Sequence, residues 1–197
     1  DQSTESFSFD KEESKHIIKV LRKKDNDILH VTNGLGVLFT TKITLASETK
    51  CTVKIIKTEP QEKPNYRIHL AVAPTKLNER YEWFIEKATE IGISEITPLI
   101  CDRSERKIIK TERFEKIIQT AMKQSNQCFL PILNEPILYG TFIAQQFEGQ
   151  KFIAHCEETD KKSLKNSLIA NQDSTILIGP EGDFSIKEID LALKNNF

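Results

Sequence analysis

The chain has 197 residues, 38% of them apolar, and its 28 basic residues nearly balance its 29 acidic ones. This length and apolar content are enough for one large or two small globular domains. The near-neutral charge excludes a globally basic protein, so any attraction to a polyanion must be local. No apolar run approaches the roughly 20 residues that a membrane-spanning helix needs, and no signal peptide opens the chain, so we expect no membrane partner.

The cysteine pattern excludes the common zinc sites. Four cysteines lie far apart, without a CxxC pair or a histidine at metal-ligand spacing. Widely spaced cysteines of this kind are typical of buried free thiols in a reducing cytoplasm. We therefore predict free thiols and no metal site at Cys51, Cys101, Cys128 and Cys156.

The first third of the chain predicts a small β-unit. Residues 12–22 (EESKHIIKVLR) space their apolar side chains at helical intervals and predict one short helix. Between Asp27 and Lys57 apolar and polar residues alternate, which predicts half-buried strands, with a hairpin turn at Asn33-Gly34. Residues 59–65 (EPQEKPN) contain two prolines and no apolar residue, which predicts a linker.

After the linker, predicted strands alternate with predicted helices, a pattern typical of a mostly parallel α/β sheet. We expect Asn78 to cap the first of these helices and Gly92 to end it. Its apolar face would carry Tyr81, Phe84, Ala88 and Ile91. The predicted strands are 66–74, 93–101, 151–156 and 175–178, and the predicted helices are 78–92 and 111–127.

The stretch LIGPEGDFS (177–185) lies between the last predicted strand and a helix that a capping box, Ser185 with Glu188, should begin. Ligands of α/β proteins bind at the carboxyl ends of parallel strands. The spacing of Gly179 and Gly182 fits neither phosphate-loop pattern, and two carboxylates would repel a triphosphate. Two interpretations stay open: a tight turn with positive φ, or a surface of free main-chain groups that suits a flat heterocycle such as adenine.

A basic stretch follows the second predicted strand. Residues 103–123 contain seven basic residues and three glutamates, a local charge of +4 that could steer a polyanion. For Arg113 and Lys116 a solvated helix face balanced by glutamates is the simpler interpretation. A second basic cluster lies at residues 19–24, and two such patches fit one nucleic acid that contacts both domains. The best candidates for phosphate contacts are Lys19, Arg22, Lys23, Arg103, Arg106 and Lys107.

Four motifs, in order, resemble a known family. HIIKVLR (16–22) resembles its H-x-x-x-V-L-R, EWFIEKATEIGISEITPL (82–99) its helix and strand, and RSERKIIKTERFEKI with AMKQS its basic segment. LIGPEGDFSIKEID resembles its I-G-P-E-G-G-F-S signature. On these motifs the chain is similar to the bacterial 16S ribosomal RNA (uracil-N3)-methyltransferases, the RsmE family of the SPOUT, or α/β-knot, class.

The resemblance implies a fold, a reaction and partners. Residues 1–63 would form a PUA-like β-barrel that binds RNA, and residues 64–197 a SPOUT trefoil-knot domain with a mostly parallel sheet and flanking helices. The enzyme would be a cytoplasmic homodimer that methylates N3 of one uridine in the 16S rRNA of the small subunit, with S-adenosylmethionine (SAM) as cofactor. No catalytic base is assigned, and Glu181 is expected to stabilise the loop. The implied cofactor-binding residues are Ala154, His155, Cys156, Leu177, Ile178, Gly179, Pro180, Glu181 and Gly182.

Two departures from the family pattern qualify these expectations. Asp183 replaces the second glycine of the signature, which adds a negative charge and restricts the backbone. The family's last motif, roughly L-G-x-x-x-L-R-T-E-T, would follow Phe197 and supplies the final knot strand and helix, so we expect the loop to hold only part of the cofactor. The alternatives are a non-catalytic RNA- or ribosome-binding module and a SPOUT methyltransferase that acts on transfer RNA.

Overall fold

The structure is a computed structural model that describes residues 5–158 and 162–197, and the chain divides into two units between Lys63 and Pro64. In the first unit the strands pair antiparallel in the order β1-β4-β3-β2. Its core is a small cluster around Ile17, Ile43, Cys51 and Val53. Its elements are β1 (Ser6–Ser8), α1 (Lys11–Lys15), a π-helical turn (His16–Val20), β2 (Ile28–Thr32), β3 (Val37–Leu45) and β4 (Thr52–Pro60).

Local signals in the sequence explain the first unit. The carboxylate of Asp10 accepts the backbone N–H of Glu13 at 2.8 Å and so caps α1. The side chain of Asn33 accepts two backbone N–H groups of the β2–β3 hairpin, at 2.9 and 3.2 Å. The predicted helix over 12–22 is α-helical only as far as Lys15, because the chain then widens into the π-helical turn. The predicted linker begins too early, since β4 runs to Pro60.

The second unit is built on a parallel sheet in the order β7-β6-β5-β10-β9, with β8 also paired to β6. This confirms the predicted α/β sheet with flanking helices. Its elements are β5 (Ile68–Val72), α2 (Asn78–Ile91), β6 (Glu95–Ile100), α3 (Glu112–Gln124), β7 (Ile132–Leu133), β8 (Ile137–Leu138), α4 (Tyr139–Ile143), β9 (Gln150–Ala154), α5 (Leu164–Ser167), β10 (Ser174–Ile178) and α6 (Ile186–Lys194).

Two expectations about α2 are wrong. Leu77, in extended conformation, precedes the helix, and no side chain caps its first turn, so Asn78 is inside the helix rather than its cap. Ile91 is 81% exposed. The reason is that the buried face of α2 runs through Tyr81, Ile85, Ala88 and Thr89, and Ile91 points away from it. Beyond Gly92, which takes φ +91°, Ile93 packs in the core.

Two apolar clusters hold the second unit together. One joins α2 and α3 to the sheet through Tyr81, Ile85 and Phe114. The other joins α4 and α6 to the strands around Phe142 and Phe184. Among the described residues, no helix is long and apolar enough to cross a bilayer.

Candidate functional site

The segment that connects β10 to α6, here called the carboxyl-edge loop (179–185), occupies the edge where parallel strands end. β10 lies between β5 and β9, so the loop leaves the sheet between the ends of these two strands. α6 begins at the far end of the loop with the predicted capping box, in which Ser185 accepts from the N–H of Glu188 and the Glu188 carboxylate accepts from the N–H of Ser185. This is the position at which α/β proteins bind ligands.

Hydrogen bonds attach the carboxyl-edge loop to the segments that follow β5 and β6. The backbone N–H of Lys76, beyond β5, donates to Glu181 at 2.9 Å. The guanidinium of Arg103, beyond β6, donates to the carbonyl oxygens of Gly182 at 2.8 Å and Phe184 at 3.3 Å. Glu181 therefore has the kind of loop-stabilising contact that the sequence suggested for it.

A third attachment reaches the segment after β9. The ladder between β9 and β10 ends at the pair Ala154–Ile178. Two residues further along, the backbone N–H of Cys156 donates to the carboxylate of Asp183 at 2.7 Å. The predicted cofactor-binding residues 154–156 and 177–182 thus lie side by side at the ends of adjacent strands.

Phe184 anchors the loop in the core. Its side chain is fully buried, and its ring lies 5.4 Å from the ring of Tyr139. A Cβ atom added at Gly179 would approach the Phe184 ring at 3.1 Å and the Phe184 backbone nitrogen at 3.2 Å. Only glycine fits at this close approach without a displacement of the loop.

Several polar groups at this edge are available to a ligand. No described residue accepts a hydrogen bond from the backbone N–H of Glu181 or Gly182. The Nδ1 atom of His155 is buried and has no hydrogen-bond partner among the residues that the structure describes. Leu177 is fully buried within the ladders that β10 forms with β5 and β9, whereas Ile178 is 37% exposed. The edge thus offers one buried ring nitrogen and two main-chain N–H groups without a protein acceptor in the described part of the chain, beside the partly exposed Ile178.

The predicted RNA-binding residues have different surroundings. Arg106 has a buried Nη1 atom that finds no hydrogen-bond partner among the described residues. Lys107 is exposed, whereas one nitrogen of Arg103 is already bound to the loop. In the first unit, Lys19 pairs with Glu48 at 3.0 Å, and the remaining two residues are Arg22, exposed with φ +53°, and Lys23, half-buried.

Neighbouring ionisable groups in the core are held neutral. Burial, with the nearby Glu188 carboxylate, raises the pKa of the Cys101 thiol to about 12. Burial and Glu188 likewise raise the pKa of Tyr139, whose hydroxyl donates to the Glu188 carbonyl at 2.7 Å. Neither group is ionised near neutral pH, so both act in packing and hydrogen bonding.

A separate polar cluster lines a cavity of about 340 Å³ at the amino ends of β5 and β6. Arg67 and Asn134 both donate to the buried carboxylate of Glu95, and the ring of His69 lies 2.7 Å from the Thr97 hydroxyl. Burial is the main cause that lowers the pKa of His69, to about 4. For Glu95, burial alone would raise the pKa, but hydrogen bonds from Asn134 and Arg67 outweigh this effect. The net result is a pKa of Glu95 below its ordinary value. Most of these groups satisfy one another, as in a structural network, but the Nδ1 atom of His69 is buried without a hydrogen-bond partner among the described residues.

Sequence reasoning missed most of the partners in this region. Asp102, which accepts from the Ser185 hydroxyl at 2.8 Å and donates its N–H to Glu188 at 2.9 Å, had no local signal. The same holds for Lys76, whose contact with the loop is made by its main chain. Hydrogen bonds between residues so far apart in sequence depend on strand order, which a single sequence does not reveal.

Comparisons with known proteins identify the family. A family model described as an RNA methyltransferase domain matches residues 61–197, and one described as an RNA methyltransferase PUA domain matches residues 9–56. The chain is 32% identical over 212 residues to the ribosomal RNA small subunit methyltransferase E of Buchnera aphidicola, covering 100% of this chain and 80% of that protein.

Solved structures agree with this. A Porphyromonas gingivalis structure described as a "probable rRNA-methyltransferase" is 37% identical, with a TM-score of 0.90 over 100% of this chain and 83% of that one. A Legionella pneumophila structure that contains bound SAM is 30% identical, with a TM-score of 0.88 over 98% and 81%. These similarities confirm the resemblance inferred from the motifs and the predicted fold class, while the knot itself stays a prediction. The chain belongs to the RNA methyltransferase family, with a PUA domain preceding the methyltransferase domain.

Proposed function

We propose that this protein is a SAM-dependent methyltransferase that methylates N3 of one uridine in the 16S rRNA of the small ribosomal subunit. Its family and a relative named ribosomal RNA small subunit methyltransferase E support an enzyme that acts on rRNA. The observation that carries the proposal is the carboxyl-edge loop, which three hydrogen-bonded attachments hold at the ends of parallel strands.

The residues at this edge fit SAM. An adenosine needs hydrogen-bond partners for its ring edge and hydroxyl groups, and the unpaired N–H groups of Glu181 and Gly182 and the unpaired ring nitrogen of His155 are such partners. The similar structure from Legionella pneumophila, which contains bound SAM, supports the same ligand. We propose that the cofactor is held by Ala154, His155, Cys156, Leu177, Ile178, Gly179, Pro180, Glu181 and Gly182.

The chemistry follows from the acceptor atom. SAM supplies an electrophilic methyl group on a sulfonium. N3 of uracil lies on the Watson–Crick edge, so the target base must be unpaired or flipped out of a helix. N3 forms the new bond to the methyl carbon as the carbon–sulfur bond breaks, and the N3 proton leaves at or before this step. The protein's contribution is to align the base with the methyl group, because orientation supplies much of such a rate enhancement.

Arg106 is the clearest candidate for an anion contact in the second unit. A guanidinium with a buried, unpaired nitrogen is costly unless a ligand satisfies it. A phosphate of the RNA backbone satisfies such a group with charge-assisted hydrogen bonds. We propose that Lys107 and the remaining nitrogens of Arg103 extend this contact, and that Lys19, Arg22 and Lys23 bind RNA from the first unit.

The decisive experiment uses small subunits that lack the modification. The protein is incubated with methyl-labelled SAM and, in parallel, with small subunits, naked 16S rRNA or transfer RNA, and the labelled nucleoside is mapped by mass spectrometry. We expect N3-methyluridine at one site of 16S rRNA. Label in transfer RNA would instead favour the alternative SPOUT activity, and the absence of SAM binding by calorimetry would favour a non-catalytic ribosome-binding module.

We also propose that the enzyme acts as a homodimer in the cytoplasm, where its rRNA substrate resides. The family resemblance is the support for both statements. Sedimentation equilibrium of the purified protein tests the first, with a mass of twice 22.6 kDa expected. A single species at 22.6 kDa would contradict it.

A further inference from the structure

Asp183 combines an unusual backbone conformation with two hydrogen bonds of its carboxylate. Its φ of +63° lies in the left-handed region. One carboxylate oxygen accepts the N–H of Cys156 at 2.7 Å, and the other accepts the N–H of Phe184 at 2.8 Å. Its own N–H donates to the Pro180 carbonyl at 2.9 Å, which closes the turn.

The turn alone does not require an aspartate. A glycine takes a positive φ without strain, whereas most other residues are disfavoured there. What the aspartate adds is the contact with Cys156, which lies 27 residues earlier in the chain. Hydrogen bonds to a carboxylate are among the stronger ones in proteins, so this contact resists separation of the two segments.

The position of this contact gives it a specific consequence. The β9–β10 ladder ends at the pair Ala154–Ile178, and beyond this pair no ladder hydrogen bonds hold the two segments together. Glu181 and Arg103 attach the carboxyl-edge loop to the segments after β5 and β6. Asp183 attaches it to the segment after β9.

We propose that Asp183 is a positioning residue, which holds the segment after β9 against the carboxyl-edge loop and so fixes the separation of the two walls of the SAM site. This inference rests on the proposed function, because residues 154–156 and 177–182 are the walls proposed above. Without the carboxylate, the wall that begins at Ala154 would move relative to the wall that begins at Leu177. SAM would then have to order the two walls when it binds, and this ordering costs part of the binding free energy and weakens the affinity.

The test compares Asp183→Gly with Asp183→Asn. Glycine removes both side-chain hydrogen bonds and relieves the positive φ, so we expect an unchanged or higher Tm together with a Kd for SAM about tenfold higher. Asparagine keeps one acceptor and tolerates the left-handed region, so we expect a smaller increase, of about threefold. The matched control is Asp190→Asn, a charge removal on the exposed side of α6, with no change in Kd.

Two further measurements separate positioning from a purely structural role. Steady-state kinetics of Asp183→Gly should show a raised KM for SAM with an unchanged KM for RNA. Hydrogen exchange should show that the Cys156 amide, protected in the native protein, exchanges faster in the variant. A lower Tm with unchanged Kd and KM for SAM would mean a structural role and overturn the inference.

The inference and the proposed function fail in different ways. If the native protein does not bind SAM in calorimetry, the proposed function is wrong and the inference is overturned with it. If the native protein binds SAM and Asp183→Gly binds it equally well, only the inference is overturned. Equal protection of the Cys156 amide in both proteins overturns it as well.

Discussion

Gly179 is the residue at which the carboxyl-edge loop comes closest to its own core anchor. A side chain there would displace the Phe184 ring or its backbone, because the nearest atoms of Phe184 would lie 3.1 to 3.2 Å from the new Cβ. Overpacking of this kind typically costs about 1–3 kcal/mol. The displacement would act directly on main-chain groups that we propose for SAM binding.

We predict that Gly179→Val abolishes SAM binding in calorimetry and that Gly179→Ala, which asks Phe184 to move by only a few tenths of an ångström, weakens it about tenfold. Gly140→Ala is the control, since nothing lies within 4 Å of a Cβ at that position. Undiminished affinity in Gly179→Val would exclude the loop from the cofactor site.

His69 makes stability depend on pH. Its pKa is about 4 in the folded protein, against an ordinary value of 6.5, because burial disfavours the charged ring. Between these values the unfolded chain binds a proton that the folded protein does not. The contribution of His69 to the free energy of unfolding is therefore fully present above pH 6.5 and is lost as the pH drops toward 4, by up to about 3 kcal/mol.

We predict that His69→Gln flattens this part of the stability profile, measured by denaturant unfolding at several pH values between 7 and 4. Glutamine retains a hydrogen-bonding group for Thr97 and does not titrate. His30→Gln, on the exposed part of β2, serves as the control and should leave the slope unchanged. An identical slope in the His69 variant would mean that another group causes the loss.

At the scale of residues, the sequence located the carboxyl-edge loop but not its contacts. Glycine, proline and the change from strand to helix periodicity are local signals, and they placed Gly179–Gly182 correctly between β10 and α6. The partners of Glu181, Asp183 and Arg103 lie 105, 27 and 79 residues away along the chain. Such contacts follow from strand order, and the roles of the site residues stay predictions.

Among the elements, α6 has the strongest local signal. Its capping box satisfies two backbone N–H groups, and the Ser185 hydroxyl also donates to Asp102 at 2.8 Å. The box therefore fixes both the start of the helix and the end of the carboxyl-edge loop.

We predict that Ser185→Ala lowers the free energy of unfolding by about 1–2 kcal/mol, because it removes the cap and the bond to Asp102. For a protein of this size this corresponds to a decrease of the melting temperature by roughly 2–8 °C in calorimetry. Ser163→Ala is the matched control, because Ser163 precedes α5 without a side-chain cap. A melting temperature equal to that of the native protein would show that the capping box is dispensable.

α2 shows why element boundaries are harder to predict than elements. Its periodicity predicted a helix over nearly the observed residues, and Gly92 ends it as expected. The predicted start is one residue off, since Leu77 rather than Asn78 occupies the cap position and no side chain caps the first turn. The error at Ile91 is one of helix face, since the buried side of α2 passes through Ile85, Ala88 and Thr89 and Ile91 lies outside it.

At the scale of the whole molecule, 28 basic and 29 acidic residues nearly cancel. The net charge is −1, so RNA binding must depend on local groups of cations rather than on the overall charge. Arg106 has no ion pair among the described residues, whereas Arg113 is bound to Glu82 at 2.7 Å. Removal of either arginine changes the net charge equally, but only the first is proposed to contact phosphate.

We predict that Arg103→Ala with Arg106→Ala weakens binding of 16S rRNA fragments and lowers the slope of log K against log salt concentration by about two. Arg113→Ala, as the charge-matched control, should leave the slope nearly unchanged. Filter binding at several salt concentrations measures both. An unaltered slope in the double variant would exclude these two arginines from the RNA interface.

The order of the parallel sheet also governs how the site comes into existence as the chain is synthesised. β10 inserts between β5, which is made about a hundred residues earlier, and β9, which has no other neighbouring strand among the described residues. A nascent chain that stops before Ser174 therefore has β9 with no strand to pair with. Pairings between such distant segments slow folding, because a long stretch of chain must be ordered before they form. The two sides of the proposed cofactor site therefore come together only after β10 has been made, since the strand that joins β5 to β9 leads directly into the loop that would bind SAM.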